Sequence, residues 1–459
     1  MPSKLKPPSR HDAVGIPIFG MFWYGDPGDG TSILAYCGGG GGAATGVKNR
    51  LFIEIYGEAD DKGSQQQNED QPQGGSNDEG PIVVETGDQL GVAINIAKNP
   101  ITNKLSLFCA LGTKINVYSL PEAKLEQELS VGATVHAIGV NAMANAIAFG
   151  CENGAIKVYD FERDYLVKEL PSYVCDEGPD VGHTKPICSV SFAPRKNDLI
   201  VSSSKDGTAR VWNKDQCISV LTCSIKDPRA PPPPPNRKNR IQTVMVRGCA
   251  FGDLEGELVY TIASGKRGKA FLSKWAFDKK ENQYQCFDRT VCSEHPISAV
   301  SMSADAATIA LGNADGTIYL WSVPKWKTIK KFLNVHEFPV TCIAARPYDL
   351  PLKGDKESGI RFNAFSASAD AQLARLTTQR KVPKSAADKN SAGFPLAEYL
   401  NRLAKWAFIL WIFSPLAQDM WSQCGDDDDI SGIGARLKCA RDNVLIAPSS
   451  RPGIAVPPH

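Results

Sequence analysis

Five consecutive glycines, followed by a segment of small residues, are the part of this sequence best suited to binding chemistry. The run occupies residues 38–42 and continues as Ala-Ala-Thr-Gly-Val-Lys-Asn over residues 43–49, between apolar segments at 33–37 and 50–56. Because glycines have no Cβ atom, their carbonyl groups can turn toward one point and coordinate a cation such as potassium, or their backbone can press against a partner. A flexible hairpin connection is the alternative.

Phosphate binding is the obvious chemistry to test for a glycine-rich loop, and two features argue against it. A Walker A motif needs Gly-Lys followed by Ser or Thr, whereas here Gly46 is followed by Val-Lys-Asn. A dinucleotide loop opens a helix, but residues 51–55 have the composition of a strand. We therefore expect that this chain binds no nucleotide.

Other chemical motifs are missing from the sequence. The six histidines have no H-x-x-x-H spacing, and the thirteen cysteines form no C-x-x-C pair and lie mostly in apolar segments. This pattern predicts reduced, buried thiols and no zinc site. No Ser-His-Asp spacing or pair of catalytic carboxylates stands out, so we expect a binding protein that carries out no covalent chemistry.

A repeated unit of strands and tight turns must position the glycine loop. Its clearest copy begins at Gly182 and His183, contains a turn at Asp206-Gly207 and ends in a strand at Trp212. Asn-Gly and Asp-Gly pairs accept the positive φ angles of a hairpin turn, and the following strands alternate with period two. Such units predict a propeller, with blades centred near residues 14–87, 88–131, 132–171, 182–224, 242–290, 295–333 and 336–382.

These residues resemble the WD40 family, whose blades carry a Gly-His pair and a strand-end Trp. The resemblance implies a buried hydrogen-bond set with a structural role, and it predicts the fold class as an all-β, seven-bladed WD40-type β-propeller with a C-terminal hydrophobic or helical tail. Residues that match the set are His183, Asp206, Ser202 or Ser204, and Trp212 in the fourth blade, and in part His295, Asp315 and Trp321 in the sixth.

Several segments fall outside the blade pattern. The hydrophobic stretch at 406–417 would cover roughly 18 Å as a helix, less than the ~30 Å of bilayer hydrocarbon, so it is expected to insert partly, lie in the interface or pack on the propeller. A proline-rich loop at residues 227–240 is either a ligand for a proline-binding module or a stiff spacer. The predicted segments are a disordered N-terminus (1–13), an acidic disordered insertion (58–80), the proline-rich loop (227–240), a linker (383–402), a membrane-associated helix (403–421) and a disordered tail (422–459).

The glycine loop in the first blade, followed by an irregular propeller and a C-terminal hydrophobic segment, resembles the prolactin regulatory element-binding protein family. Members are guanine-nucleotide exchange factors of the endoplasmic reticulum for the Sar-type small GTPase that starts COPII coats. The resemblance implies a propeller that faces the cytosol, with a potassium ion on the backbone carbonyls of Gly39, Gly40, Gly41 and Thr45. It assigns GTPase contact to the loop residues Gly38, Gly39, Gly40, Gly41, Gly42, Ala43, Ala44, Thr45, Gly46, Val47 and Asn49.

Charge limits the remaining partners. Fifty-one Lys and Arg residues balance fifty Asp and Glu residues, so the net charge of +1 gives no bulk attraction to nucleic acid. The only dense basic run lies at 237–240, and we expect no nucleic-acid partner. The alternative to an exchange factor is a WD40 scaffold that joins proteins without altering nucleotide state.

Overall fold

The computed structural model describes residues 9–42, 45–56, 80–161, 168–169, 174–175, 178–179, 182–213, 216–223, 244–350 and 361–378. Within these ranges the secondary structure consists of thirty β-strands and no α-helix. The predictions for the acidic insertion, the proline-rich loop and the segments after residue 382 fall outside the described residues, except for Gly80.

Each blade is an antiparallel sheet of four strands. The first contains β2 (Ile18–Gly25), β3 (Ser32–Gly38), β4 (Asn49–Tyr56) and β5 (Ile82–Gly87). The second contains β6 (Gly91–Lys98), β7 (Leu105–Leu111), β8 (Lys114–Leu120) and β9 (Lys124–Ser130). The third contains β10 (Val135–Val140), β11 (Ala146–Cys151), β12 (Ile156–Asp160) and β13 (Lys168–Glu169), and β14 (Val174–Cys175) pairs separately with β15 (Gly178–Pro179).

The remaining blades repeat this order. The fourth contains β16 (Ile187–Phe192), β17 (Leu199–Ser204), β18 (Thr208–Asn213) and β19 (Gln216–Thr222). The fifth contains β20 (Val244–Phe251), β21 (Leu258–Gly265), β22 (Ala270–Asp278) and β23 (Gln283–Ser293). The sixth contains β24 (Ile297–Met302), β25 (Thr308–Asn313), β26 (Ile318–Ser322) and β27 (Lys327–Phe332), and the seventh contains β28 (Val340–Ala345), β29 (Arg361–Ser368), β30 (Gln372–Thr378) and β1 (Ser9–Ala13).

The seven sheets form a closed ring, which confirms the predicted all-β, seven-bladed propeller. The tail predicted after the propeller lies outside the described residues. The first strand of each blade packs against the first strands of both neighbouring blades, so these strands surround a central channel. Among the described residues the core divides into seven apolar clusters, one between each pair of adjacent blades. Both faces of every blade are therefore buried, which explains the apolar character of the inner strands.

The ring is closed by a strand from the other end of the chain. Ser9–Ala13 pairs antiparallel with β30, with Ser9 opposite Leu376, and the Asp12 carboxylate forms an ion pair with Arg375. The prediction that residues 1–13 are disordered was wrong for residues 9–13. Blade 7 has only three strands from the C-terminal part of the chain, so the open edge of β30 offers unpaired backbone groups that even a polar segment can satisfy.

The two ends of the channel differ. The turn between the second and third strands of a blade contacts the segment that enters the next blade, as the turn at Gly207 approaches Val244. These turns, including the glycine loop between β3 and β4, lie at one end of the channel. We call this end the loop face. At the opposite end a cavity of about 700 Å³ is lined by the last residues of all seven innermost strands.

A β-bulge occurs near the start of every innermost strand. The register shifts by one residue at equivalent positions, and each extra residue is partly exposed. A bulged residue is left out of the ladder and its side chain is redirected, so the seven form a layer around the channel near the loop face. This layer, the bulge ring, consists of Phe19, Val92, His136, Cys188, Arg247, Ser298 and Thr341.

Candidate functional site

The glycine run divides into a packed half and an open half. A Cβ atom on Gly38 would lie 1.9 Å from the Pro17 carbonyl oxygen, and one on Gly40 would lie 2.2 Å from the Thr45 hydroxyl. Gly39 has a φ of +147°, and a Cβ there would lie 2.2 Å from the Asn49 side chain. No atom of a described residue lies within 4 Å of such a Cβ on Gly41 or Gly42. Glycine is therefore required by close packing at residues 38–40.

The buried Asn49 side chain fixes the glycine loop through hydrogen bonds. Its Oδ1 accepts a hydrogen bond from the Gly41 amide at 3.0 Å, and its Nδ2 donates to the carbonyl oxygens of Gly41 at 2.7 Å and Gly87 at 2.9 Å. Only 3% of Asn49 is exposed. The expectation that Asn49 contacts a partner directly does not fit this position, because its amide is buried and used within the protein. It is a positioning residue for the loop.

The outer part of the loop is exposed and internally bonded. The hydroxyl and the amide of Thr45 both donate to the Gly42 carbonyl, at 3.0 Å and 3.1 Å. The apolar side chain of Val47 is 38% exposed. Ala43 and Ala44 lie outside the described residues. The structure thus brings Thr45, Gly46 and Val47 to the surface of the loop face.

Backbone carbonyls, rather than side chains, are the cation ligands this loop could supply. The carbonyl oxygens of Gly39, Gly40 and Thr45 accept no hydrogen bond from any described residue, whereas that of Gly41 accepts one from Asn49. Neutral oxygens that are not already bonded suit a weakly hydrated monovalent cation such as potassium. Among the described residues no group of three or more His, Cys, Asp or Glu side chains could hold a metal ion.

The structural set predicted in the fourth blade is complete. His183 Nδ1 donates to Asp206 Oδ2 at 2.9 Å, Ser202 Oγ lies 2.9 Å from His183 Nε2, and Trp212 Nε1 donates to Ser202 Oγ at 2.9 Å. Burial lowers the pKa of His183 in spite of the neighbouring carboxylate. Burial would raise the pKa of Asp206, but hydrogen bonds from His183 and Thr208 hold it below its usual range. A neutral imidazole satisfies every donor in this set of hydrogen bonds, so the role of His183 is structural.

The other predicted members are less complete, and one set was missed. His295 is half-exposed and its Nε2 lies 3.6 Å from Asp315, while the buried Trp321 Nε1 has no hydrogen-bond partner among the described residues. In the seventh blade, His336 Nδ1 lies 2.8 Å from Asp370 and its Nε2 lies 2.9 Å from Ser366. These are the same His-Asp and His-Ser contacts as in the fourth blade. Val rather than Gly precedes His336, and no Trp ends the third strand, so the usual sequence signals are missing.

Comparison with known proteins identifies the repeat. The family model described as WD domain, G-beta repeat matches residues 179–213 and 287–322. The chain is 20% identical over 250 residues to Protein NEDD1 of Mus musculus, covering 47% of this chain and 34% of that protein. It is 23% identical over 235 residues to WD repeat and HMG-box DNA-binding protein 1 of Mus musculus, covering 51% and 19%.

A third relative, Periodic tryptophan protein 2 of Saccharomyces cerevisiae, is 24% identical over 254 residues, covering 49% of this chain and 25% of that protein. The chain therefore spans a fifth to a third of the length of these relatives. The two matched repeats include the complete hydrogen-bond set of blade 4 and the partial one of blade 6. Together with the closed ring of sheets, they establish that this chain is a seven-bladed β-propeller with WD40 repeats.

Proposed function

We propose that this propeller is a guanine-nucleotide exchange factor that docks a Sar-type small GTPase on its loop face. The observation that carries the proposal is the construction of the glycine loop. Three glycines are packed without room for a Cβ, and a buried amide clamps the loop. A simple hairpin connection needs neither feature, whereas a loop that must keep one shape against a partner needs both.

The chemistry required is differential binding. If the GTPase holds nucleotide at picomolar strength, about 16 kcal/mol must be offset by contacts made with the opened, nucleotide-free form. No single side chain can supply this, so the contact must extend beyond Thr45, Gly46 and Val47 across the loop face. Exchange needs no proton donor or nucleophile from this chain, which agrees with the structural role of His183 and Asp206.

A potassium ion forms part of the proposal. The carbonyls of Gly39, Gly40, Gly41 and Thr45 would hold it, and when bound it would supply a fixed positive centre that draws the loop backbone together. The chain's own residues set the rest of the shape, since Asn49 bonds Gly41 on both its amide and its carbonyl. Replacing potassium by lithium is expected to slow exchange, with the intrinsic nucleotide release of the GTPase alone as the control.

Location at the endoplasmic reticulum is proposed from the family resemblance and from the hydrophobic segment at 403–421. That segment lies outside the described residues. Among the residues that the structure describes, no helix has the length and hydrophobicity needed to cross a bilayer. Carbonate extraction of membranes, compared with detergent extraction, tests whether the full chain is anchored.

The decisive experiment measures release of a fluorescent guanine nucleotide from the purified Sar-type GTPase in potassium buffer. Wild-type protein should accelerate release. Gly40→Ala should reduce the acceleration strongly, because its Cβ would overlap Thr45 and Val47. Gly80→Ala is the matched control, since its Cβ meets no described atom within 4 Å and it lies outside the loop. Unchanged release with wild-type protein would refute the proposal.

A passive WD40 scaffold is the second candidate function. The two buried His-Asp-Ser sets favour it, because they stabilise blades without shaping a partner site. Under this proposal Gly40→Ala would leave nucleotide release unaltered and partner binding nearly intact. The release assay and a pull-down with the same variant therefore distinguish the two functions.

A further inference from the structure

Two cations at the loop-face end of the channel form no ion pair with any residue that the structure describes. Arg247 is the bulge-ring residue of blade 5, and Lys205 lies in the turn between β17 and β18 of blade 4. Both side chains are half-buried, and among the described residues neither forms an ion pair. The Nε atom of Arg247 is shielded from solvent and has no hydrogen-bond acceptor in that part of the chain. Buried N–H groups without a partner are rare and call for one.

The two cations lie near Cys188. The Lys205 amide donates to the Pro186 carbonyl at 3.1 Å, and the Ser189 hydroxyl donates to the Cys249 carbonyl at 3.2 Å, so the residues around Cys188 contact both the turn of Lys205 and the strand of Arg247. Burial and the charge of Asp206 raise the pKa of the Cys188 thiol, and the positive charges of Arg247 and Lys205 oppose that rise. Burial and the charge of Lys205 lower the pKa of His136, while Glu152 opposes them. Because Cys188 and His136 are the bulge-ring residues of blades 4 and 3, the cations lie beside one wall of the channel formed by three consecutive blades.

Two carboxylates act on this wall, but neither forms an ion pair with Arg247 or Lys205 among the described residues. Asp206 is hydrogen-bonded to His183 and Thr208, and Glu152 is exposed on its turn. Arg375 shows how this protein treats a half-buried guanidinium when it is structural, since Arg375 is paired with both Asp12 and Glu54. Arg247 is also partly buried, but it forms no ion pair with a carboxylate in the described ranges.

We propose that the loop-face opening of the channel binds an acidic side chain presented by a partner protein, with its carboxylate between Arg247 and Lys205. A guanidinium recognises a carboxylate through two parallel N–H···O bonds, and the ammonium of Lys205 adds a second charge. The wall therefore offers two cationic side chains without an ion-pair partner among the described residues to one recessed anionic group. The inference does not depend on the identity of the partner, although the site and the glycine loop share one face.

The test uses full-length protein and a fluorescein-labelled peptide with three consecutive glutamates between Gly-Ser flanks. Fluorescence anisotropy should show binding that weakens with salt. Arg247→Gln and Lys205→Gln should each weaken binding at least about tenfold, the size of a lost charge-assisted hydrogen bond. Arg247→Lys should retain part of the affinity, and a glutamine version of the peptide should not bind.

Lys280→Gln is the matched control, because this exposed lysine lies in the same blade as Arg247, in the turn between β22 and β23 at the opposite end of the ring. It should change affinity less than about twofold. Thermal unfolding of each variant checks that the fold is retained. Equal binding by Arg247→Gln and wild type would overturn the inference, as would equal losses in Lys280→Gln. Arg247-dependent binding of inorganic phosphate without peptide binding would also overturn it, by identifying a free-anion site.

Discussion

Replacing Asn49 with alanine should release the glycine loop. The change removes three hydrogen bonds of 2.7–3.0 Å to Gly41 and Gly87 from a side chain that is only 3% exposed. At about 1 kcal/mol net for each bond, the clamped conformation loses roughly 3 kcal/mol relative to opened ones. Since 1.4 kcal/mol is a tenfold change in an equilibrium constant, the population of opened loop should rise about 100-fold.

Hydrogen–deuterium exchange of a peptide that covers residues 39–48 measures this opening directly. We expect much faster exchange in that peptide and a decrease of about 1–3 kcal/mol in the free energy of unfolding by urea. Asn116→Ala is the matched control, because Asn116 is a buried asparagine of blade 2 whose Nδ2 donates to Tyr118 at 3.1 Å. It should lose about 1 kcal/mol of stability and leave loop exchange unchanged. Loop exchange in Asn49→Ala within twofold of wild type would refute the clamp.

Three further predictions concern the scaffold. His183→Ala should lower the free energy of unfolding by about 3 kcal/mol, whereas His295→Ala, at a half-exposed site, should change it by less than about 0.5 kcal/mol; equal losses in urea denaturation would contradict this. Folding lowers the pKa of His183 below its ordinary value of 6.5, so at pH values near and below 6.5 the unfolded state binds more protons than the folded state. The free energy of unfolding should therefore fall as pH decreases from 7.5 to 5.5, and this fall should be smaller in His183→Ala. Deleting residues 1–13 should lower the thermal midpoint by removing β1, while deleting residues 1–8 should not, and equal midpoints for the two deletions would argue against strand closure.

Local turn chemistry was predictable from sequence because it depends on adjacent residues. Gly154, Gly207 and Gly316 all have positive φ, as the Asn-Gly and Asp-Gly pairs predicted, and the blades follow from these turns. The hydrogen-bond set of blade 4 was also predictable, since each of its members lies at a familiar spacing.

Features that depend on distant pairing were not predictable. The clamp by Asn49 involves a carbonyl 38 positions away, which no local pattern indicates. The Ser-Arg-His-Asp-Ala segment has no apolar alternation, and only its place beside β30 makes it a strand. The bulge ring follows from strand register, so Arg247 and Lys205 could not be associated from sequence.

Joining the first strand to the last has a consequence for biosynthesis. Asp12 and Arg375 are 363 positions apart, so the ring cannot close until nearly all of the propeller has been translated. At ~5–20 residues per second, the nascent β1 segment must wait roughly 20–70 s for its partner strand. During that interval the edge of blade 1 that will contact blade 7 is uncovered. We therefore expect ribosome-bound chains to engage chaperones until synthesis passes β30, and prematurely terminated chains to be directed to degradation.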